Sequence, residues 1–187
     1  MTARKEKNGA IDAVALLKAD HRKVEDLFEK FESAEDKEEK QSLAQEVCTE
    51  LCAHTIIEEE IFYPACTGEV EDSTVDEAYV EHDGAKVLIA ELLASDPDNE
   101  FYDAKIKVLS EDIKHHVKEE EKRAEGLFAQ AKAAGLDMEQ LGERLKVRKE
   151  EVLAKFKSEG LPPLQTRSFT GHELQQAHPV DGGTAAQ

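Results

Sequence analysis

Histidine and glutamate recur in this chain at one spacing. His54 and Glu58 stand four residues apart, as do His116 and Glu120, and an isolated histidine precedes each pair: His21 by 33 residues, His82 by 34. Residues i and i+4 share a face of a helix, so each pair presents an imidazole and a carboxylate to the same neighbour. Two such helices facing each other, with two more each bringing one histidine, surround a point with four imidazoles and two carboxylates. A buried carboxylate without a partner costs several kcal/mol, and cations are what would neutralise two of them beside four imidazoles. Imidazole and carboxylate without thiolate suit iron, manganese or zinc; they do not suggest calcium, magnesium or an iron–sulfur cluster. Carboxylates from opposed helices can bridge two ions while paired histidines complete each. That pattern favours a dinuclear non-haem iron centre, because zinc is content with about four ligands at one metal. The candidate ligands are His21, His54, Glu58, His82, His116 and Glu120.

Neighbouring residues divide by helical geometry. In the runs Glu58-Glu59-Glu60 and Glu119-Glu120-Glu121, only Glu58 and Glu120 share the stripe of their histidine, and the others are read as solvated. His115 and Glu119 are candidates to support the ligands from outside. Tyr79, three residues before His82, either leans toward the centre or packs in the core. Cys48 and Cys52 lie one turn apart, a possible soft-metal or redox pair. With Cys66 they make three cysteines, too few for a closed disulfide framework, and read as small buried thiols in a reducing cytosol.

The elements that must position these residues are helices. An apolar stripe alternating by three and four runs through four segments, and in each one a histidine occupies a stripe position. The segments span about 12–33 (Leu17, His21, Val24, Phe28), 37–64 (Val47, Leu51, His54, Glu58), 74–95 (Ala78, His82, Ala85, Ile89) and 100–134 (Ile113, His116, Glu120, Leu127). Asp12 is a plausible N-cap for the first, Asp36 with Glu39 a capping box for the second, and Ser73 a cap for the third. Asp96-Pro97-Asp98 breaks the chain, and Gly135 stops the fourth helix. Short connections make neighbours antiparallel, so the expected fold is all-α: an up-down-up-down four-helix bundle over 11–135. Its halves carry the motifs in the same order, like a duplicated helix pair. A further helix, 137–158, starts at Asp137 with Gln140 as a second capping box; its stripe of Leu141, Leu145, Val152 and Phe156 packs on the bundle or on a partner. Residues 159–187 lack periodicity and read as a flexible, mostly disordered tail, in which His172 and His178 bind nothing specific.

Charged residues make up 35% of the 187, which suits long helices with a solvated face. The net charge of −18 argues against nucleic-acid and anionic-membrane partners, which need a basic surface. No long apolar run and no signal-type stretch at Met1–Ala10 are found, so a cytoplasmic protein is expected. There is no Gly-rich phosphate loop, nucleophile elbow or paired-cysteine zinc pattern.

Taken together, the motifs resemble the hemerythrin-like, or HHE, domain family. That family places a His, a His-x-x-x-Glu, a second His and a second His-x-x-x-Glu on four antiparallel helices. The resemblance covers about residues 11–134, through Leu16-Leu17-Lys18-Ala19-Asp20-His21, His54 to Pro64, Glu81-His82 and His115 to Phe128. It implies two iron ions with a bridging oxo or hydroxo group, His21 and His54 on one ion, His82 and His116 on the other, and Glu58 and Glu120 between them. Oxygen-carrying members have one more histidine a turn before the third-helix one, where this chain has Ala78; Lys86 follows a turn after. They also place an aspartate one residue beyond the position of Glu120. Tyr79, Glu81 or His115 would have to replace the absent imidazole. With both ions left short of ligands, the expectation is a centre that binds or reacts with O2, peroxide or nitric oxide, in sensing, detoxification or redox response. Iron storage or donation, and reversible O2 carriage, are the alternatives, and a metal-free helical scaffold is the remaining one.

Overall fold

The computed structural model describes residues 11–169, whose regular structure is all helical, with no strand among them. Helix α1 (Ala13–Ser33) starts where the Asp12 carboxylate accepts the Ala15 N–H at 3.0 Å. Helix α2 (Lys37–Ile57) starts where Asp36 accepts from the N–H groups of Glu38 and Glu39. The rod then runs without a break through a π-helical stretch, Glu58–Phe62, into one turn, α3 (Tyr63–Cys66). Helix α4 (Asp72–Leu93) begins one residue before Ser73, so Ser73 is not its cap. Glu71 holds that position, and its N–H is taken by the side chain of Gln130 at 2.9 Å.

The fourth segment is not one helix. Helix α5 (Tyr102–Glu121) ends at an extended Lys122, and α6 (Leu127–Ala133) follows. Gly126 allows this fold-back, since a Cβ there would sit 2.5 Å from the Glu120 carbonyl oxygen and 2.6 Å from that of Glu119. Gly135, at φ 84°, ends α6 in the left-handed conformation that its position predicted. Helix α7 (Met138–Glu159), with Asp137 capping Gln140 N–H, packs across α1 and α2, burying the predicted stripe of Leu141, Leu145, Val152 and Phe156.

Two apolar clusters form the core. One holds Val24, Leu51, Ala85 and Ile113; the other holds Leu17, Ile57, Ala78 and Leu127. Helices α1 and α4 run from the second cluster to the first, α2 from the first to the second, and α5 from the first toward α6, whose Leu127 and Phe128 lie in the second, which is the up-down-up-down order. On α1, α2 and α4 the histidine stands at the crossing between clusters, and on α5 it lies at the end of the first, so a polar layer divides the core. No helix among the described residues is long and apolar enough to cross a membrane.

Residues 160–169 carry no regular structure, in keeping with their composition, yet they lie on the bundle. Leu161 and Leu164 pack against the first cluster, and Arg167 and Ser168 hydrogen-bond to Asp83 on α4. The rest of the expected tail, with His172 and His178, lies outside the described residues.

Candidate metal centre

All six predicted side chains meet in the polar layer, each of them buried. Glu58 is 0% exposed and Glu120 2%. The Nε2 atoms of His21 and His54 face each other at 3.1 Å, and those of His82 and His116 at 3.2 Å. Glu58 Oε2 lies 3.1 Å from His54 Nε2 and 3.4 Å from His82 Nε2, and so spans the two pairs. Glu120 Oε2 spans them from the other side, 3.4 Å from His21 and 3.7 Å from His116.

The opposite nitrogen of every ring is held by a carboxylate. Asp20 lies 3.5 Å from His54 Nδ1 and Glu81 2.7 Å from His116 Nδ1; Glu59 lies 3.0 Å from His82 Nδ1 and Glu121 2.9 Å from His21 Nδ1. The residue before each isolated histidine thus orients the histidine of the following helix, and the residue after each motif glutamate orients the isolated histidine of the other half. A carboxylate on Nδ1–H fixes ring and tautomer and leaves the Nε2 lone pair for the centre. Helix α7 takes part, for Lys149 Nζ is 2.6 Å from Asp20.

These carboxylates correct the sequence reading. Glu59 and Glu121 are not solvated bystanders; each is about 100° around its helix from the candidate ligand before it, turned toward the adjacent helix. Asp20 and Glu81 stood in plain view beside their histidines, and the order of the repeat was the available signal. Glu119 does not serve this role, being turned toward Lys122 at 3.8 Å. His115 is exposed and touches only the outer oxygen of Glu81, at 3.4 Å.

Tyr63 is the residue that periodicity missed. Its buried hydroxyl lies 3.0 Å from Glu120 Oε1, 3.1 Å from His82 Nε2 and 3.2 Å from Glu58 Oε2. On an α-helix, residue i+5 is turned about 140° from residue i. The π-helical stretch narrows that offset: Tyr63 N–H is bonded to the Glu58 carbonyl, five residues back, and the two side chains meet. Tyr79 stays outside, its ring edge-on to that of Tyr63 at 5.2 Å.

The arrangement is electrostatically incomplete as a set of side chains alone. Among the described residues no hydrogen bond reaches Glu58 Oε1 or Glu120 Oε2, although both are buried. Burial pulls the His54 imidazole toward neutrality, but Glu58 and Asp20 outweigh it and push its pKa up to about 10. His82 is raised as well, against burial, by Glu58 and Glu59. Burial would raise Glu58, but the imidazoles of His54 and His82 hold it well below the usual carboxylate range. Both shifts favour a proton on the His54 and His82 rings, a countercharge to Glu58 when no cation is bound. The donors fall into two groups that share Glu58: His21, His54, Glu58 and Glu120, and Glu58, His82 and His116, with ligand atoms in each group within 4.8 Å of one another. Unbonded buried carboxylate oxygens and facing Nε2 pairs fit two cations.

Two spaces adjoin the layer. Toward the first cluster, a cavity of about 10 Å³ is walled by Val24, Leu51, Thr55, Ile113 and Val117. Toward the second, an open cleft of about 380 Å³ passes Glu77, Ala78, Glu81, Glu119 and Glu125 and ends at Glu120. Burial pushes the thiol of Cys48, and likewise that of Cys52, up to about 12, which leaves both protonated, and both belong to the first apolar cluster, apart from the centre.

Residues 12–128 match the family model for the hemerythrin HHE cation-binding domain. The chain belongs to this hemerythrin family. Its fold is similar to the crystal structure of a hemerythrin HHE cation-binding domain-containing protein, the Rv2633c homolog from Mycobacterium kansasii. The TM-score is 0.67 at 24% identity, covering 81% of this chain and 95% of that one. A protein described as a DNA nickase, from Nostoc sp. (strain PCC 7120), is 26% identical over 106 residues. That match covers 57% of this hemerythrin-family chain but 30% of the relative, so the chain spans under a third of its length. The family is a cation-binding one, and the buried His/Glu layer is where this chain could hold a cation.

Proposed function

We propose that this hemerythrin-like protein holds two non-haem iron ions and uses them to bind or react with a small uncharged ligand: O2, peroxide or nitric oxide. His21 and His54 would serve one ion, His82 and His116 the other, and Glu58 and Glu120 both. The observation that carries this reading is the pair of donor groups sharing Glu58, with two buried carboxylate oxygens that no hydrogen bond reaches. Bound iron would supply ligand binding and electron transfer, which none of these side chains provides.

The protein's own groups define the setting. Asp20, Glu59, Glu81 and Glu121 hold the four rings so that Nε2 faces inward. Tyr63 keeps its proton, since burial and the carboxylates of Glu120 and Glu58 raise the phenol well above its ordinary pKa. It therefore offers an O–H donor at the carboxylates, within reach of a ligand held there. Apolar walls on the Val24 side keep bulk water out, while the glutamates of the open cleft repel anions and admit neutral molecules and cations. Ala78, where an O2 carrier has a histidine, supplies no donor, so exchange at the centre is favoured over simple carriage. The same acidic cleft favours iron donation as the second reading. Three free, buried cysteines fit a reducing compartment, and we place the protein in the cytoplasm.

The test is stopped-flow spectroscopy of the anaerobic, ferrous-loaded protein mixed separately with O2, peroxide and NO. Oxidation or ligand exchange within the mixing experiment is expected with at least one of them. Reversible uptake and release of O2 without net oxidation would identify a carrier and contradict the preference for exchange, and no spectral change with any of the three would contradict the reading as a whole.

A further inference from the structure

Beside the proposed centre, a second buried network leads from His82 to the C-terminal segment. Asp83, the next residue, is fully buried. Its Oδ2 accepts the N–H of Arg167 at 2.7 Å, the N–H of Ser168 at 2.5 Å and the Ser168 hydroxyl at 2.7 Å. Its Oδ1 accepts Lys86 Nζ at 3.0 Å. Lys86, itself buried, lies 2.7 Å from Glu59 Oε1, the atom that stands 3.0 Å from His82 Nδ1. A second path runs through rings: the Arg167 guanidinium lies 4.3 Å over Tyr79, which is edge-on to Tyr63, whose hydroxyl touches His82, Glu58 and Glu120.

We propose that residues 160–169 are a strap whose docking on α4 positions His82, through Asp83, Lys86 and Glu59, so that docking and cation binding at the His82–His116 end are coupled. This rests on the two-ion reading given above. The other rings have helix-borne supports: Lys18 and Arg22 of α1 hold Glu121, Lys149 of α7 holds Asp20, and His115 of α5 meets Glu81. Among the described residues, only the support of His82 leads to a segment without regular structure, and such segments undock more readily than helices.

The coupling follows from the need to satisfy buried charge. The strap supplies three of the four donors on Asp83. Without them that carboxylate is left buried with Lys86 alone and draws the ammonium away from Glu59. Glu59 then no longer fixes the Nδ1 proton of His82, and the ring is free to turn. A cation on His82 Nε2 needs that ring aimed at it, so it favours the docked strap, and linkage makes the effect reciprocal. Removing an outer partner of a metal-bound histidine typically lowers metal affinity about ten- to a hundredfold.

Ser168→Pro deletes both the N–H and the hydroxyl that bind Asp83. Ser168 is exposed and outside every helix, so the bundle is not put at risk; Ser168→Ala, lacking only the hydroxyl, gives a graded comparison. Full-length proteins are titrated anaerobically with Fe2+, and with Mn2+ as a redox-silent probe. In parallel, mass spectrometry follows tryptic cleavage of the Arg167–Ser168 bond in wild type, with and without metal. Wild type should take up two ions, and Ser168→Pro should bind one of them normally and the other about tenfold or more weakly. Cleavage should slow by a similar factor when metal is bound. If the variant titrates both ions like wild type, or cleavage ignores metal, the coupling is refuted while the two-ion reading stands. If wild type binds no second ion, the two-ion reading fails and takes the coupling with it.

Discussion

Replacing Tyr63 by Phe removes one oxygen from the centre and leaves the packed ring in place. That oxygen lies 3.0 Å from Glu120 Oε1 and 3.2 Å from Glu58 Oε2, so its single proton serves buried carboxylates. A hydrogen bond to a charged group is worth about 1.5–3 kcal/mol, and losing it leaves the acceptor desolvated. Glu120 already has one oxygen without a hydrogen bond, so it has little means of compensating. For a chain of this size about 1 kcal/mol corresponds to roughly 2–4 °C in Tm, which puts the loss at about 3–12 °C. With cations bound, the carboxylate charge is met by metal, and the loss should shrink below about 1 kcal/mol, or roughly 4 °C. Differential scanning calorimetry of wild type and Tyr63→Phe, each metal-free and iron- or manganese-loaded, reads all four values. Equal losses in the two states, or none in the metal-free state, would refute the view that Tyr63 and the cations satisfy the same carboxylates.

Metal uptake should release protons. His54 has its pKa pushed from 6.5 up to about 10, so it is charged at neutral pH and must be neutral to bind metal. Calorimetric titration in buffers of different ionisation enthalpy should detect the release, and affinity should rise about tenfold per pH unit for each proton displaced. Because the folded value is the raised one, its contribution to metal-free stability is complete below pH 6.5 and is lost as pH climbs through about 10. The metal-free protein should therefore become easier to unfold in urea across that range; a rise in stability would contradict the assignment. Gly126→Ala places a methyl group 2.5 Å from the Glu120 carbonyl oxygen and 2.6 Å from Lys122 N, both backbone atoms that cannot swing aside. It should cost about 1–3 kcal/mol and weaken metal binding by displacing Glu120, whereas an unchanged Tm and affinity would mean that the fold-back is looser than described.

Much of this centre is legible in the sequence because helices make it so. A stripe alternating by three and four puts each histidine at a core position, and the motif glutamates follow one turn later. Residues whose roles depend on local departures from that period are not legible in the same way. Tyr63 reaches the centre through a π-helical stretch, and no propensity along Glu58–Phe62 announces one. The fold-back after Glu121 depends on the close approach of Gly126, a tertiary fact. Glu59 and Glu121 are charged residues in a chain full of charge. Their partners are rings on other helices, visible only once the packing is known. Asp83 and Lys86 are hidden for the same reason, since their burial depends on a segment whose composition reads as tail.

Metal content per folded chain tests the central claim most directly. Wild type and the Glu58→Ala and Glu120→Ala variants would be purified anaerobically, loaded with Fe2+, desalted and measured by mass spectrometry for metal, with folding checked by circular dichroism. Two irons per wild-type chain, and fewer than two in both folded variants, is the predicted result. Two irons retained without Glu58 and Glu120, or a wild-type chain that holds none, would contradict it.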